Sequence, residues 1–337
     1  MKKKVTLLSI DGGGIRGIIP AVILEYIENK LKEKSGNSEA VLQDYFDMIA
    51  GTSTGGILTC FYLHPSRFPA GEAVDLYANN GKKIFKPKIP LLNKALNIIT
   101  AKYSTKGLEL ALNDTFGDST LSQVNKCSLI TAYDIVNRKS VFFTVPEAKR
   151  SPSKDFYLKD IAIATSAAPT YFKPAAIQSM DNKTHNLLDG AMFANNPSLC
   201  ALVEARKTKF EKCEYPVIKD VYIVSIGSGK EDQALNPKKA SNWGIASWAA
   251  PIVDILISAS PEVVSYQLKQ LFEVAGCSDC YLRLEPELLK ANPAMDDVSN
   301  KNIKNLKEAG AYYVSKNAES LDKIVEFLIG NEHPHYS

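Results

Sequence analysis

Ser53 lies within Gly51-Thr52-Ser53-Thr54-Gly55-Gly56, a G-x-S-x-G turn between a short apolar run and a helical pattern. A serine presented on so sharp a strand-to-helix turn is a candidate nucleophile for acyl transfer through a covalent ester. The geometry needs small residues two before and two after it, because the two backbones approach closely there, and Gly51 and Gly55 meet that need. The N-terminus of the following helix adds partial positive charge that favours an alkoxide or the oxyanion it creates. Such a serine needs a base.

The chain has four histidines, His64, His185, His333 and His335. His64 sits in a His-Pro turn beyond the serine's own helix, about 15 Å of helix away from Ser53. His333 and His335 belong to the last five residues, where chains fray. His185 follows the polar stretch Asp181-Asn182-Lys183-Thr184, which reads as a loop, and stands four residues before Asp189. Asp189-Gly190-Ala191 comes after the apolar Leu187-Leu188, and its small neighbours leave room for a carboxylate to project into a cleft. An aspartate in such a turn also serves as a cap. A buried carboxylate hydrogen-bonded to the serine can act as its base, so a Ser53–Asp189 dyad competes with a triad through His185. The order Ser, His, Asp is not the order of α/β-hydrolases.

Asp11-Gly12-Gly13-Gly14-Ile15-Arg16-Gly17 follows the first strand pattern and opens a helix. Its unhindered amides suit an oxyanion hole built from Gly12, Gly13 and Gly14, with Arg16 neutralising developing charge or holding a lipid phosphate. Glycines 12, 14 and 17 also match the G-x-G-x-x-G dinucleotide fingerprint. Against that reading, Asp11 puts a carboxylate where a pyrophosphate would arrive. The region about 20 residues on is a lysine-bearing helix, where the fingerprint needs a strand ending in a ribose-binding acid.

The elements that must position these residues alternate. Strand patterns at 5–10, 46–50, 128–133, 141–144, 221–226 and 281–284 are interleaved with helical ones at 19–31, 198–207, 251–272 and 300–328, the last broken near Asn317. That alternation predicts an α/β layered sheet. No Pro-, Gly- or Ser-rich linker divides the chain, so one domain is expected over 1–330, with a flexible tail at 331–337. At 337 residues, net charge +3 and pI near 8.3, the chain is no strongly basic nucleic-acid binder. Six scattered cysteines read as thiols in a reducing compartment, and Cys277-Ser278-Asp279-Cys280 supplies half of a usual metal set. No signal peptide or membrane span is read, which predicts a cytoplasmic protein in peripheral contact with membranes. The segment 82–106 carries seven lysines and no acid, interleaved with apolar residues. It reads as a solvated insertion or as a surface for anionic lipid headgroups through Lys82, Lys83, Lys86 and Lys88.

Together the segments DGGGIRG at 11–17, GTSTGG at 51–56 and DGA at 189–191 resemble, in this order, the patatin-like phospholipase family of lipid acyl hydrolases. Further stretches look like plant patatin: 45–50, 116–123, 163–172 and 295–299, so that the likeness covers nearly the whole chain. The resemblance implies an α/β/α sandwich with a mostly parallel central sheet. It also implies Ser53 as nucleophile, Asp189 as base and the Gly12 to Gly14 amides as oxyanion hole, with Gly51, Gly55 and Gly190 in support. The implied substrates are esters of phospholipids, lysophospholipids, galactolipids or acylglycerols, cleaved without calcium or any cofactor. Two departures stand out: the secretory leader of plant storage patatins is missing, and Asp-Gly-Ala replaces the Asp-Gly-Gly of many relatives.

Overall fold

The computed structural model describes residues 3–86, 101–230 and 237–332. Its centre is an eight-stranded sheet of β1 (Val5–Ile10), β2 (Met48–Gly51), β3 (Cys127–Asp134), β4 (Lys139–Phe143), β5 (Ala175–Gln178), β6 (Thr184–Asp189), β7 (Val221–Ile226) and β8 (Tyr281–Leu284). The order across it is β5-β6-β3-β2-β1-β7-β8, with β4 paired to β3. The run β3-β2-β1-β7-β8 is parallel, whereas β4, β5 and β6 pair antiparallel. Every residue of β1, β2 and β7 is buried, as strands covered by helices on both faces must be. The fold is thus α/β with a mostly parallel central sheet flanked by helices, as expected.

Helix Ile18–Ser35 leaves the glycine loop and packs between Asn300–Glu332 and Ala70–Ile84. Asn317 keeps a non-helical backbone within Asn300–Glu332, which agrees with the expected break. That helix runs through Glu332, and Asn331 exchanges hydrogen bonds with the Lys4 backbone. The first two residues of the expected tail are therefore helical, because this contact ties them to the start of β1. Residues 333–337, with His333 and His335, lie outside the described residues.

The topology brings the three motifs together. β1 and β2 are parallel neighbours, with Ile10 opposite Gly51, so the glycine loop and Ser53 leave the same end of the sheet. β6 runs against β3 and sets Asp189 opposite Ala132, two residues past the Ile130 that pairs with Gly51. The carboxyl ends of parallel strands are where α/β sheets open a crevice, and all three motifs border it.

Candidate active site

Ser53 joins β2 to helix Thr54–Tyr62 with φ 56° and ψ −122°, a left-handed conformation that costs a non-glycine residue about 1–3 kcal/mol. Its neighbours show why glycine flanks it. A Cβ on Gly51 would stand 2.0 Å from the Gly55 carbonyl oxygen, and one on Gly55 would stand 2.1 Å from that of Ile10. The strained turn is clamped from behind: the Ser53 N–H donates to Thr165 Oγ1 at 2.9 Å, and that hydroxyl donates to the Thr131 carbonyl at 2.7 Å.

The Ser53 side chain stands beside the Asp189 carboxylate and favours its charged form. Asp189 is 1% exposed and Ser53 8%. Burial pushes the Asp189 carboxyl up to about 7, opposed by the neighbouring Ser53 side chain and by the hydrogen bond from the Ala191 N–H, 2.8 Å from Oδ1. A base poised near neutrality is what proton transfer from a serine requires. Gly190 permits the turn, because a Cβ there would stand 2.0 Å from Thr131 Oγ1. Ala191 fits without strain and lines the cavity in front of the serine.

The glycine loop departs from expectation at one residue. The Gly12 N–H donates to the Asn195 carbonyl at 3.1 Å and so is consumed inside the protein. The donors that remain beside Ser53 are the amides of Gly13 and Gly14, both of which line the serine's cavity. Gly12 has a packing role instead, since a Cβ on it would stand 3.2 Å from the Ser53 Cβ and 2.2 Å from Asn195 Oδ1. Gly14 holds φ 58° against the Met295 carbonyl, which accepts the Ile15 N–H at 2.9 Å. Arg16 is buried, and its Nε lies 3.4 Å from the Gly13 carbonyl.

Three supporting residues gave little signal in the sequence. Arg283 on β8 grips Asp11 with both terminal nitrogens, at 3.0 and 2.6 Å, and also donates to Ser225 Oγ at 2.9 Å. This buried fork braces the loop just ahead of the Gly13 and Gly14 amides, and the Asp11 carboxylate it holds argues against a pyrophosphate there. Asn195 supplies the carbonyl that takes the Gly12 N–H, and its side chain donates to the Ile257 carbonyl at 2.9 Å. Thr165 is the clamp described above. Thr165 belongs to the patatin-like stretch 163–172 and Arg283 to the strand pattern 281–284, yet nothing local marks the role of either.

The histidines stand elsewhere. His185 falls within β6, opposite Ile177 on β5, where a loop was expected. The Thr-His-Asn start of that strand is polar because it precedes the pairing of β6 with β3, which begins at Leu187, and is not fully buried. Four residues of extended chain, about 13 Å, separate His185 from Asp189, and the imidazole meets Phe156 edge-on instead. His64 is buried beside Phe68 and Phe116.

Ser53, Asp189, Gly13 and Gly14 open on an apolar cavity lined among others by Ile57, Ile84, Leu108 and Phe172. Among the described residues no group of three metal-binding side chains gathers, and no helix is long and apolar enough to cross a membrane.

The family model described as patatin-like phospholipase matches residues 8–202, a span that contains all three motifs. "Patatin-like protein 2" of Oryza sativa subsp. indica is 37% identical over 95% of this chain and 86% of its own length. "Patatin-like protein 1" of Arabidopsis thaliana is 36% identical over 91% of this chain and 80% of its own. "Probable inactive patatin-3-Kuras 1" of Solanum tuberosum is 33% identical over 93% and 87%. Among solved structures, VipD from Legionella pneumophila is a loose likeness, with a TM-score of 0.39 and 11% identity over 94% of this chain and 67% of that one. The match across the motifs and the identity over nine-tenths of the sequence place this chain in the patatin-like phospholipase family.

Proposed function

We propose that this protein is a serine carboxylic ester hydrolase acting on lipid acyl esters of the phospholipase A or lysophospholipase type. Family membership supports lipid acyl hydrolysis in general; a relative named as inactive means that the site itself must carry the case. The observation that carries it is Ser53 set beside a buried Asp189, the two lining one apolar cavity. In this reading Asp189 takes the hydroxyl proton as Ser53 attacks the ester carbonyl, and the Gly13 and Gly14 amides receive the oxyanion. The proton passes to the leaving alcohol as the acyl-enzyme forms. Water then gives a proton to Asp189 and attacks the acyl carbon, Ser53 regains the proton, and the fatty acid departs.

Removing Ser53 removes the covalent route. Ser53→Ala is expected to lower kcat on a short acyl ester by at least about 10³-fold, leaving what the oxyanion donors and binding provide. Near wild-type turnover in that variant would exclude the mechanism and favour an idle lipid-binding role with a contaminating esterase. A nucleotide-binding module, the other reading of the loop, would show a thermal shift with NAD or ATP.

We also propose peripheral contact with anionic lipid surfaces near the acyl cavity. Support comes from Lys82, Lys83 and Lys86, all exposed at or just past the end of helix Ala70–Ile84, whose Gly81 and Ile84 line that cavity. Lys88 lies outside the described residues. Binding to vesicles containing anionic lipid should exceed binding to neutral vesicles and weaken as salt rises; equal binding to both would remove the lysines from this role.

A further inference from the structure

A second cavity, of about 610 Å³, lies beside the first. The two share Tyr171, Asn195, Ile257 and Met295 as walls, so they adjoin at the side of the cavity that holds Ser53 and Asp189. Their linings differ in kind. The apolar cavity suits an acyl chain, whereas the second is floored by the Asp11–Arg283 pair and lined by Ser228, Ser258 and Ser265. Its volume is that of an ordinary ligand site.

The charges around it are unequal in their commitments. Arg283 is satisfied by Asp11 and approached by Glu285 at 3.3 Å from its Nε. Lys230, after β7, and Lys269, on helix Ile245–Val274, line the same cavity with exposed side chains, and neither has an ion-pair partner among the described residues. Buried Arg16 adds a third cation to the wall beside the glycine loop. Glu262 is the acid left in the lining after the Arg283 cluster is counted. Such an arrangement attracts a compact anion more than a neutral alcohol, which brings no opposite charge to the lysines.

We infer that the second cavity is the alcohol-side subsite of the hydrolase, in which Lys230 and Lys269 bind the phosphate of a glycerophospholipid headgroup while the acyl chain occupies the apolar cavity. The inference rests on the proposed hydrolase reading and adds to it the side of the ester on which each half of the substrate lies. It makes the two lysines determinants of specificity, separate from the dyad that breaks the bond.

The test uses the whole protein and three octanoyl substrates kept below their micellar concentration, so that adsorption to a lipid surface plays no part: lysophosphatidylglycerol, monoacylglycerol and monogalactosyl monoacylglycerol. Wild type is expected to favour the phosphate-bearing ester over both neutral ones by about tenfold or more in kcat/KM, the size of one or two charge-assisted contacts. Lys230→Gln combined with Lys269→Gln should bring that ratio close to one through a raised KM, and the paired Lys→Arg variant should restore it. Thermal melting and labelling of Ser53 by a fluorophosphonate report that the variants are folded. Glycerophosphate, a headgroup without its acyl chain, should compete with lysophosphatidylglycerol. A ratio that survives the double Gln variant, or a wild-type preference for the galactosyl ester, would overturn the assignment. Stimulation of monoacylglycerol cleavage by glycerophosphate would also overturn it, by making the cavity a site for a soluble phosphate effector. If wild type cleaves none of the three and Ser53 resists the fluorophosphonate, the hydrolase reading fails and the subsite with it; labelled Ser53 with no phosphate preference removes the subsite alone.

Discussion

The two cavities meet at four shared residues, yet their walls come from different parts of the chain. The apolar one is built largely by the glycine loop, the Ser53 turn, helix Ala70–Ile84 and the stretch from Ser166 to Asn195. The polar one draws on Asp11 and Arg16 but takes most of its lining from residues 227–230, 257–269 and 283–295. In the proposed reading, bond breaking depends on short glycine-bearing turns whose backbone admits few alternatives, whereas headgroup preference depends on single charged side chains carried on the C-terminal helices, strand and loops. The first kind of site is constrained at almost every position. The second can change its preference by a few substitutions without disturbing the first.

Arg283 is where that separation should break down, because it lines the second cavity and also braces the loop that bears the Gly13 and Gly14 amides. Arg283→Gln leaves the Asp11 carboxylate buried without its partner and is expected to cost about 3–5 kcal/mol in urea unfolding. Asp11→Asn with Arg283→Gln together should recover much of that loss, since no unpaired charge then remains. A cost below about 1 kcal/mol for the single variant would show that the fork does not hold the loop.

A smaller effect of opposite sign belongs to Asp189. Its folded pKa of about 7 stands above the ordinary 3.8 because burial disfavours the charge. The folded state thus binds more protons between these values, and stability falls as pH rises from about 4 to about 7, reaching a constant penalty above that. Asp189→Asn removes the penalty, which is worth up to about 4 kcal/mol. The inactive variant should melt higher than wild type at pH 8, with the gap narrowing toward pH 5. A variant that melts lower at pH 8 would mean that the carboxylate is held by favourable contacts and is no desolvated base.

Much of this was legible in the sequence where local chemistry dictates geometry. β1, β7 and β8 fall where the apolar runs placed them, and Ser53 and Asp189 were marked by small residues that close backbone approach demands. β5 and β6 are not legible because one is a short edge strand and the other begins with Thr184-His185-Asn186, ahead of its pairing with β3, which reads as loop. Helix Ala70–Ile84 was also passed over, for its Gly71, Asn79, Asn80 and Gly81 weaken any helical reading. Within the site, the sequence offers Gly12 as an oxyanion donor because nothing local shows that its N–H is spent on Asn195, far along the chain. Arg283 sits alone in an apolar strand and betrays nothing of its partner 272 residues away. Local turns write themselves into the sequence; pairings across the sheet do not.

The central claim is that Asp189 activates Ser53 directly. It is tested most plainly by the rate at which a fluorophosphonate labels Ser53, measured from pH 5 to 9 in wild type and in Asp189→Asn. The account predicts a wild-type rate that climbs about tenfold per pH unit and levels off near pH 7, against labelling in Asp189→Asn that is slower by at least about 10³-fold on the plateau. Undiminished labelling in Asp189→Asn, or a wild-type profile with no rise below pH 7, would contradict it.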